Sequence, residues 1–277
     1  MTPAPDILDV VSDLKATGEA FALATVVRTI AVTAAKAGAK AVIRPDGTIS
    51  EGWIGGGCAR AAVLKAAREA IADGRPRLVS IQPENLLQEQ GVTAGDEAGG
   101  VRFARNMCPS QGTMDIFVEP MLPKPELAIF GASAVAIALA GLGKQFGYRV
   151  TACAPKTTAA IFGDVDRHST GFELDACDPR ERYIVIATQG AGDIAALRAA
   201  LPINARQIAF VGSRKKMAKL RERLSAEGLP AEALHGVKAP AGLDIGAITP
   251  QEIALSILAE ITQLRRQTQD VVAEMAS

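Results

Sequence analysis

Two cysteines and a run of glycines are the residues of this chain whose types and spacing best suit chemistry. Gly55, Gly56, Gly57 and Cys58 stand in succession between a strand-like and a helix-like segment. Three consecutive glycines are entropically costly, and they are typical of a loop that a ligand or another backbone approaches closely. A thiol beside a helix N-terminus has a lowered pKa, so Cys58 is a candidate thiolate.

Cys108 lies in a second turn-rich segment, NMCPSQGTMD, at residues 106–115. Two thiolates on loops of one domain could bind a soft metal or carry sulfur, so Cys58 and Cys108 are candidate ligands or sulfur carriers. The alternative is that each is a buried, inert residue, as most cytosolic cysteines are. Cys153 and Cys177 carry no such signal, and no short CxxC spacing indicates a zinc ribbon or a disulfide framework.

A strand–turn–helix segment, LAIFGASAVAIALAGLG at residues 127–143, has the form of a Rossmann opening. Its turn predicts a nucleotide or phosphate site at Gly131, Ala132 and Ser133, because such turns present a helix N-terminus to a pyrophosphate. Only the first glycine of GxGxxG is kept, since Ser133 replaces the second and Ala136 stands at the third. An ordinary turn without a ligand is the alternative.

A second turn of this kind is FVGSRKK, at residues 210–216. Gly212 ends a strand, Ser213 is a helix cap, and Arg214 could hold a phosphate through two hydrogen bonds. Cations at a helix N-terminus oppose its dipole, which is easier to explain if an anion binds there. The alternative is a solvated helix start.

The sequence argues against an NAD(P)-dependent oxidoreductase. The second strand of the Rossmann unit, residues 149–154, is followed by Pro155 and Lys156 rather than by an acidic residue for the NAD ribose. The two histidines, His168 and His235, stand in undistinguished contexts for a proton relay.

The segments around these residues divide into two patterns. In the first half we predict a helix at 6–17 capped by Asp6, strands at 21–29, 77–82 and 114–120, a hairpin at 39–53, a helix at 61–73, and a loop or partly helical stretch at 83–100. Later, strands at 127–130, 149–154, 183–187 and 207–211 alternate with helices at 135–146, 191–200, 215–227 and 250–267. Alternation predicts a parallel sheet covered on both faces.

Three prolines in EPMLPKPE, residues 119–126, predict extended geometry between the two patterns. We therefore predict an α/β protein with an N-terminal α/β domain at 1–120, a linker at 121–126 and a Rossmann-like domain at 127–277.

Composition limits the function classes. The 277 residues are 48% hydrophobic and carry a formal net charge of zero, which allows a sizeable core and argues against a nucleic-acid binder. Residues 127–143 are too short and too interrupted to span a bilayer, and the N-terminus lacks the pattern of a secretory signal. We expect a cytoplasmic protein without stable membrane insertion.

Together these segments resemble the XdhC/CoxI family, accessory factors that mature molybdenum hydroxylases. The first half is similar to that family's first domain at residues 21–27, in PDGTISEGWIGGGCAR (45–60) and in MDIFVEP (114–120). The second half resembles its Rossmann domain in IFGASAVAIALA (129–140), IVIATQGAGDIAALRAAL (184–201), FVGSRKK and APAGLDIGAITPQEIALSILAEI (239–261).

The resemblance implies a chaperone, rather than a turnover enzyme, that binds molybdenum cofactor: molybdopterin, plain or as its cytosine dinucleotide. It would assist sulfuration or metal-centre assembly and insertion into an apo-hydroxylase of the xanthine dehydrogenase or carbon monoxide dehydrogenase type. It also implies a sulfur donor or sulfurase as a partner, a homodimer, and ATP, ADP or a dinucleotide in the Rossmann domain. Cys58, with its glycines, and Cys108 match the family's two cysteine motifs.

The chain departs from the family pattern at Ser133 of the Rossmann turn, where glycine is common, at the missing acidic residue after the second Rossmann strand, and at two further places. Residues 33–38 read TAAKAG where a Ser-Ser-Pro-Arg stretch is usual, and residues 108–112 read CPSQG where Cys-Gly-Gly is usual. These differences favour a specialised branch similar to the carbon monoxide dehydrogenase type. A nucleotide-dependent sulfur- or metal-insertion enzyme, and a docking scaffold without a ligand, stay open as alternatives.

Overall fold

The protein, described from a computed structural model, consists of two compact units that divide between Pro123 and Lys124. The structure describes residues 6–109, 111–155, 159–175 and 181–274, with the side chains at 58, 159 and 268–274 outside that description. The predicted α/β class is confirmed, with a mixed sheet in the first unit and a parallel sheet in the second.

The first unit is built on a seven-stranded sheet in the order β3-β2-β1-β7-β4-β6-β5. Its strands are β1 (Phe21–Ile30), β2 (Lys40–Ile43), β3 (Ile49–Gly52), β4 (Arg77–Gln82), β5 (Glu97–Ala98), β6 (Val101–Arg105) and β7 (Thr113–Met121). Its helices are α1 (Ile7–Thr17), α2 (Gly57–Asp73) and α3 (Glu84–Glu89). β4 and β6 pair in parallel, and the other neighbours are antiparallel.

Helix α2 positions the glycine loop because it covers one face of this sheet. Its buried side chains, including Val63 and Ala67, form one core with Val26, Val79 and Ile116 of the strands. The helix ends at Gly74, which adopts the left-handed conformation expected of a C-terminal glycine. The predicted cap of α1 is also confirmed, since Asp6 accepts the N–H of Leu8 at 2.9 Å.

The first unit differs from the sequence prediction at β5, which was not predicted, at the start of α2, which begins at Gly57 rather than at residue 61, and at β6 and β7. β6 was not predicted, because its residues are partly buried without alternation along the strand. The strand is defined instead by its parallel pairing with β4. β7 extends through Pro120 into the predicted linker. β4 stops pairing with β7 at Val118, so Pro120 has a strand partner on one side only, where its missing N–H is tolerated.

The second unit is a Rossmann-type layer structure. Its sheet, in the order β10-β9-β8-β11-β12, is parallel throughout and comprises β8 (Glu126–Phe130), β9 (Arg149–Ala154), β10 (Arg167–Thr170), β11 (Arg182–Ile186) and β12 (Gln207–Phe210). The helices are α4 (Ala134–Gln145), α5 (Ala159–Phe162), α6 (Asp193–Ala200), α7 (Arg214–Ala226), α8 (Ala231–His235) and α9 (Pro250–Glu274). α5, α8 and β10 were not predicted.

Both faces of this sheet are covered, as the alternating pattern predicts. Leu127 and Ile129 point into one core with α4 and α9, while Ala128 and Phe130 point into a second core with α6 and α7. The loops that follow β8, β11 and β12 therefore share the carboxyl edge of the sheet, where ligands bind in folds of this kind.

Candidate functional site

The first unit contains a cavity that we call the cysteine cavity, with a volume of about 340 Å³. It brings the glycine loop and the Cys108 loop together, although the two are some fifty positions apart in the chain. Its lining residues are Thr33, Ala34, Gly56, Gly57, Ala59, Asn106, Met107, Cys108 and Met114. Of these, sequence reasoning singled out only Gly56, Gly57 and Cys108.

The glycine loop delivers the N-terminus of α2 to this cavity. Gly56 is the N-cap, and among the described side chains none caps the helix and no acidic residue occupies its first turn. Gly55 (φ 103°) and Gly57 (φ 54°) adopt the left-handed region, and a Cβ at Gly57 would meet open space. Backbone conformation rather than crowding thus favours glycine at Gly57, and the start of the 17-residue helix α2 lines the cavity through Gly56, Gly57 and Ala59.

The opposite wall is held by Asn106, which fixes the Cys108 backbone. Its Oδ1 accepts the Cys108 N–H at 2.9 Å, and its Nδ2 donates to the Gly112 carbonyl at 2.6 Å. Gln111 donates to the Cys108 carbonyl from its backbone N–H at 3.1 Å and from its side chain at 3.2 Å. A Cβ on Gly112 would lie 2.6 Å from the Cγ2 atom of Thr33, so the Cys108 loop packs closely on the segment with Thr33 and Ala34, which also lines the cavity.

The four cysteines occupy different environments. Cys108 is exposed in the cavity. Cys58 is the second residue of α2, as expected for a thiol at a helix start, but its side chain lies outside the described part. Cys153 is buried in β9, and burial raises the pKa of its thiol to about 12, which makes it inert at neutral pH. Cys177 lies outside the described residues.

A larger cavity of about 1000 Å³, which we call the Rossmann cavity, lies at the carboxyl edge of the second sheet. Gly212, Ser213 and Arg214 line it, whereas Gly131, Ala132 and Ser133 do not. The other lining residues are Val135, Gln189, Val211, Lys215, residues 238–247, Ile253 and Ser256.

The turn from β8 into α4 is a packing turn. A Cβ on Gly131 would lie 2.6 Å from the Ala187 carbonyl oxygen, and its φ of 113° also requires glycine. Ser133 is buried and caps α4 by accepting the Ala136 N–H at 3.2 Å. Ala132 is exposed. Contacts within the unit therefore explain why Gly131 and Ser133 are needed at this turn.

The turn from β12 into α7 opens into the cavity. Ser213 caps α7, as predicted, by accepting the Lys216 N–H at 3.2 Å. Behind the turn, Lys216 pairs with buried Asp193 at 2.6 Å. Burial alone would raise the pKa of Asp193, but hydrogen bonds from Lys216, Thr188 and the Gly190 N–H outweigh it and lower that pKa.

Residues 238–247 form a cavity wall that sequence reasoning did not assign to a site. Lys238 pairs with Glu260 of α9 and donates to the Gly242 carbonyl at 3.2 Å, while the Gly242 N–H donates to Glu260 at 3.0 Å. The signal in the sequence was Pro240 with Gly242, upstream of the Thr249–Pro250 helix start. That predicted start is confirmed, and Glu252 completes it by accepting the Thr249 N–H at 2.8 Å.

Within the described residues, no three His, Cys, Asp or Glu side chains cluster as a metal site would require. Among the same residues, no helix combines the length and the apolar character that a membrane span needs.

Two family models match the chain and together account for both units. The model described as the XdhC and CoxI family matches residues 14–82, and the model described as the XdhC Rossmann domain matches residues 127–261. The chain belongs to the XdhC and CoxI family. Both matched ranges include turns described above: the glycine loop in the first, and Gly131 and Ser213 in the second.

Curated relatives of this family member are longer proteins. The uncharacterized protein YqeB of Escherichia coli K12 is 28% identical over 240 residues, covering 82% of this chain and 40% of the relative. A protein of Bacillus subtilis 168 described as a probable subunit of xanthine dehydrogenase is 29% identical over 163 residues, covering 56% of this chain and 47% of the relative. The chain thus spans less than half the length of these two relatives.

A crystal structure described as a xanthine dehydrogenase from Bacillus halodurans is also similar to this chain. The two are 19% identical with a TM-score of 0.45, and the match covers 95% of this chain and 96% of the other.

Proposed function

We propose that this protein is an accessory factor that binds molybdenum cofactor as cargo and passes it to an apo-molybdenum hydroxylase. The observation that carries the proposal is the cysteine cavity, which combines an exposed thiol with the N-terminus of α2. Membership of the XdhC and CoxI family supports the choice of cargo and recipient. The Bacillus subtilis relative, described as a probable subunit of xanthine dehydrogenase, supports the same recipient class.

The chemistry of the cavity suits such a cargo. Thiolates are soft ligands that match a metal with sulfur coordination, and Cys108 supplies one from a loop that Asn106 holds in place. The α2 N–H groups and helix dipole favour anionic oxygen or sulfur atoms on the ligand. The residues present therefore fit one end of an anionic, sulfur-bearing metal complex, with Cys58 as the second candidate thiol.

Exposed apolar side chains near the cavity support transfer to a protein partner. Val32 is 73% exposed, Trp53 is 53% exposed and Met107 is 67% exposed, all adjoining residues that line or flank the cavity. Large apolar groups that cluster on a surface mark interaction sites. We propose that the apo-hydroxylase covers these three side chains while the cargo is delivered.

The test is native purification from cells that synthesise the cofactor, with molybdenum measured by mass spectrometry and pterin by fluorescence of its oxidised form. We expect the wild type to carry both, and Cys108→Ser to lose most of them because serine is not a soft ligand. Cys153→Ala is the control, since that buried thiol is protonated at neutral pH and should be dispensable. Full cofactor content and full hydroxylase activation by Cys108→Ser and Cys58→Ser alike would refute the cysteine role.

We propose further that the second unit binds a nucleotide. The parallel sheet with its cavity at the carboxyl edge supports this role, because open α/β sheets bind ligands there. Calorimetric titration with ATP, ADP, CMP and NADP tests it, and heat from none of them would refute it. Steady turnover of a bound nucleotide would instead favour a sulfur- or metal-insertion enzyme.

A further inference from the structure

We propose that the Rossmann cavity binds a phosphate ester of a planar heterocycle, with its phosphate at the start of α7 and not at the β8–α4 turn. The phosphate contacts Arg214 and Lys215, and the heterocycle lies in the slot bounded by residues 238–247. This inference rests on the proposed nucleotide-binding role of the second unit and assigns the position and chemistry of that ligand.

The first support is the state of the cations that line the cavity. Arg214 and Lys215 are exposed, and neither makes an ion pair or hydrogen bond with any residue the structure describes. Lys216 and Lys238, in contrast, are neutralised by Asp193 and Glu260. Two cations of the cavity thus have no ion-pair partner in the described part of the chain, although Asp244 lines the same cavity, and an anionic ligand would supply such a partner.

The second support is the backbone at the same place. The first two residues of α7 have N–H groups that cannot bond within the helix, because a helical N–H requires a carbonyl four residues earlier. The Ser213 hydroxyl is used by Lys216 and does not reach them. The N–H groups and the two side chains together form a set of donors suited to phosphate oxygens.

The third support is that Gly131, the glycine of the alternative position, serves packing within the unit. The carbonyl of Ala187 occupies the space beside Gly131, so the glycine accommodates protein backbone there. The first turn of α4 has no basic residue in its sequence, and residues 131–133 do not line the cavity. The Rossmann opening therefore retains its packing role, while the exposed charge lies two strands away at β12.

The slot beyond the cations combines the charged residues Lys238 and Asp244 with apolar side chains. Val135, Val211, Pro240 and Ile253 supply side chains suited to the faces of a ring system. The far wall is fixed, since the Ala241 N–H donates to the Phe210 carbonyl at 3.0 Å. A volume of about 1000 Å³ accommodates a nucleotide.

Two sources offer this chemistry: a free nucleotide, or the nucleotide end of a dinucleotide form of the pterin cargo. ADP titration distinguishes these two sources when it is done on two preparations. One is protein purified from cells that make the cofactor, and the other is protein from cells that do not. A free-nucleotide site binds ADP equally in both preparations. A site for the cargo's own nucleotide end is already blocked in the loaded preparation.

The position is tested by titrating ADP, CMP and pyrophosphate into the full chain and three variants. Arg214→Ala and Lys215→Ala should each weaken ADP and CMP binding at least about tenfold, as expected for a lost charge-assisted hydrogen bond. Lys219→Ala is the matched control, because Lys219 is an exposed lysine of α7 that does not line the cavity. Its affinity should stay within about twofold of wild type.

Ala132→Asp tests the rejected position, since it adds a negative charge at the exposed residue of the β8–α4 turn. A phosphate bound at that turn would be repelled, whereas one bound at α7 should be little affected. Wild-type binding that falls with Ala132→Asp but not with Arg214→Ala or Lys215→Ala would overturn this inference and leave the nucleotide role intact. Absence of any binding to the wild type would overturn both.

Discussion

The two cavities differ in how the chain forms them and in the chemistry they display. The cysteine cavity is small, has a thiol and carries no charged residue among the described residues of its lining. The Rossmann cavity is about three times larger and is bordered by Arg214 and Lys215, cations without a partner among the described residues. One is suited to a soft, sulfur-coordinated centre and the other to a phosphate, so the two units offer complementary ligand chemistry.

One turn of each unit shows that a glycine before a helix start has no single structural role. In the cysteine cavity a Cβ on Gly57 would meet nothing, so the space beside the helix start is open. A Cβ on Gly131 would instead meet the backbone of residues 187 and 188, so the space beside this glycine is filled by the protein itself. Four predictions test how the two units are packed and what their cavities bind.

Gly131→Val should lower the free energy of unfolding of the second unit by about 3 kcal/mol or more, because strain at a left-handed residue adds to a clash with backbone. Chemical denaturation followed by a probe in each unit measures it. Gly141→Ala is the control, since its added methyl meets no neighbour and a helix gains about 0.5–1 kcal/mol from alanine. Equal stability of the two variants would show that Gly131 does not pack as described.

One substitution in each cavity, with both ligands measured for each variant, tests whether the two cavities bind their ligands independently. Cys108→Ser should lower bound molybdenum at least about tenfold while ADP affinity stays within about twofold. Arg214→Ala should weaken ADP binding at least about tenfold, because it removes a phosphate contact, and bound molybdenum should fall with it only if the site holds the nucleotide end of the cargo. If Cys108→Ser weakened ADP binding as much as it lowered bound molybdenum, the division of chemistry between the cavities would be wrong.

Asp193→Asn should destabilise the protein by about 2 kcal/mol at neutral pH, since it removes the charge that Lys216 and Thr188 hydrogen-bond. The pKa of Asp193 is lowered on folding, so its contribution is present above the unfolded pKa of about 3.9 and is lost as pH falls from there through the lower folded value. Stability of the wild type should therefore drop below about pH 4, and the variant should show a smaller drop. A pH profile identical to wild type would contradict the role of this carboxylate.

Thr249→Ala should lower the free energy of unfolding by about 1 kcal/mol, because it removes the cap of α9. Glu260 of this helix anchors the wall of the Rossmann cavity. Thermal unfolding measures the change. Thr262→Ala, in the interior of the same helix, serves as the control because its hydroxyl bonds to the Leu258 carbonyl, which the helix already satisfies. A loss no greater than that of the control would show that Thr249 does not cap the helix.

Much of the fold follows from short stretches of sequence. Asp6, Ser213 and Thr249 each precede a helix with a residue type that caps it, and the structure confirms all three starts. Alternating strands and helices after residue 126 correctly indicate a parallel sheet with both faces buried. These features depend on residues within a few positions of one another, which is why one sequence suffices to predict them.

The sites, in contrast, depend on residues that are distant in the chain. Four basic residues line or adjoin the Rossmann cavity. Only folding pairs Lys216 with Asp193 and Lys238 with Glu260, and it leaves Arg214 and Lys215 without an ion-pair partner among the described residues. Likewise, Asn106 holds the Cys108 loop against the glycine loop through contacts that no local pattern encodes. Local sequence was therefore enough for the longer elements and for the cysteine and glycine motifs, whereas the short elements β6, β10, α5 and α8 and the wall at residues 238–247 depend on packing between distant segments.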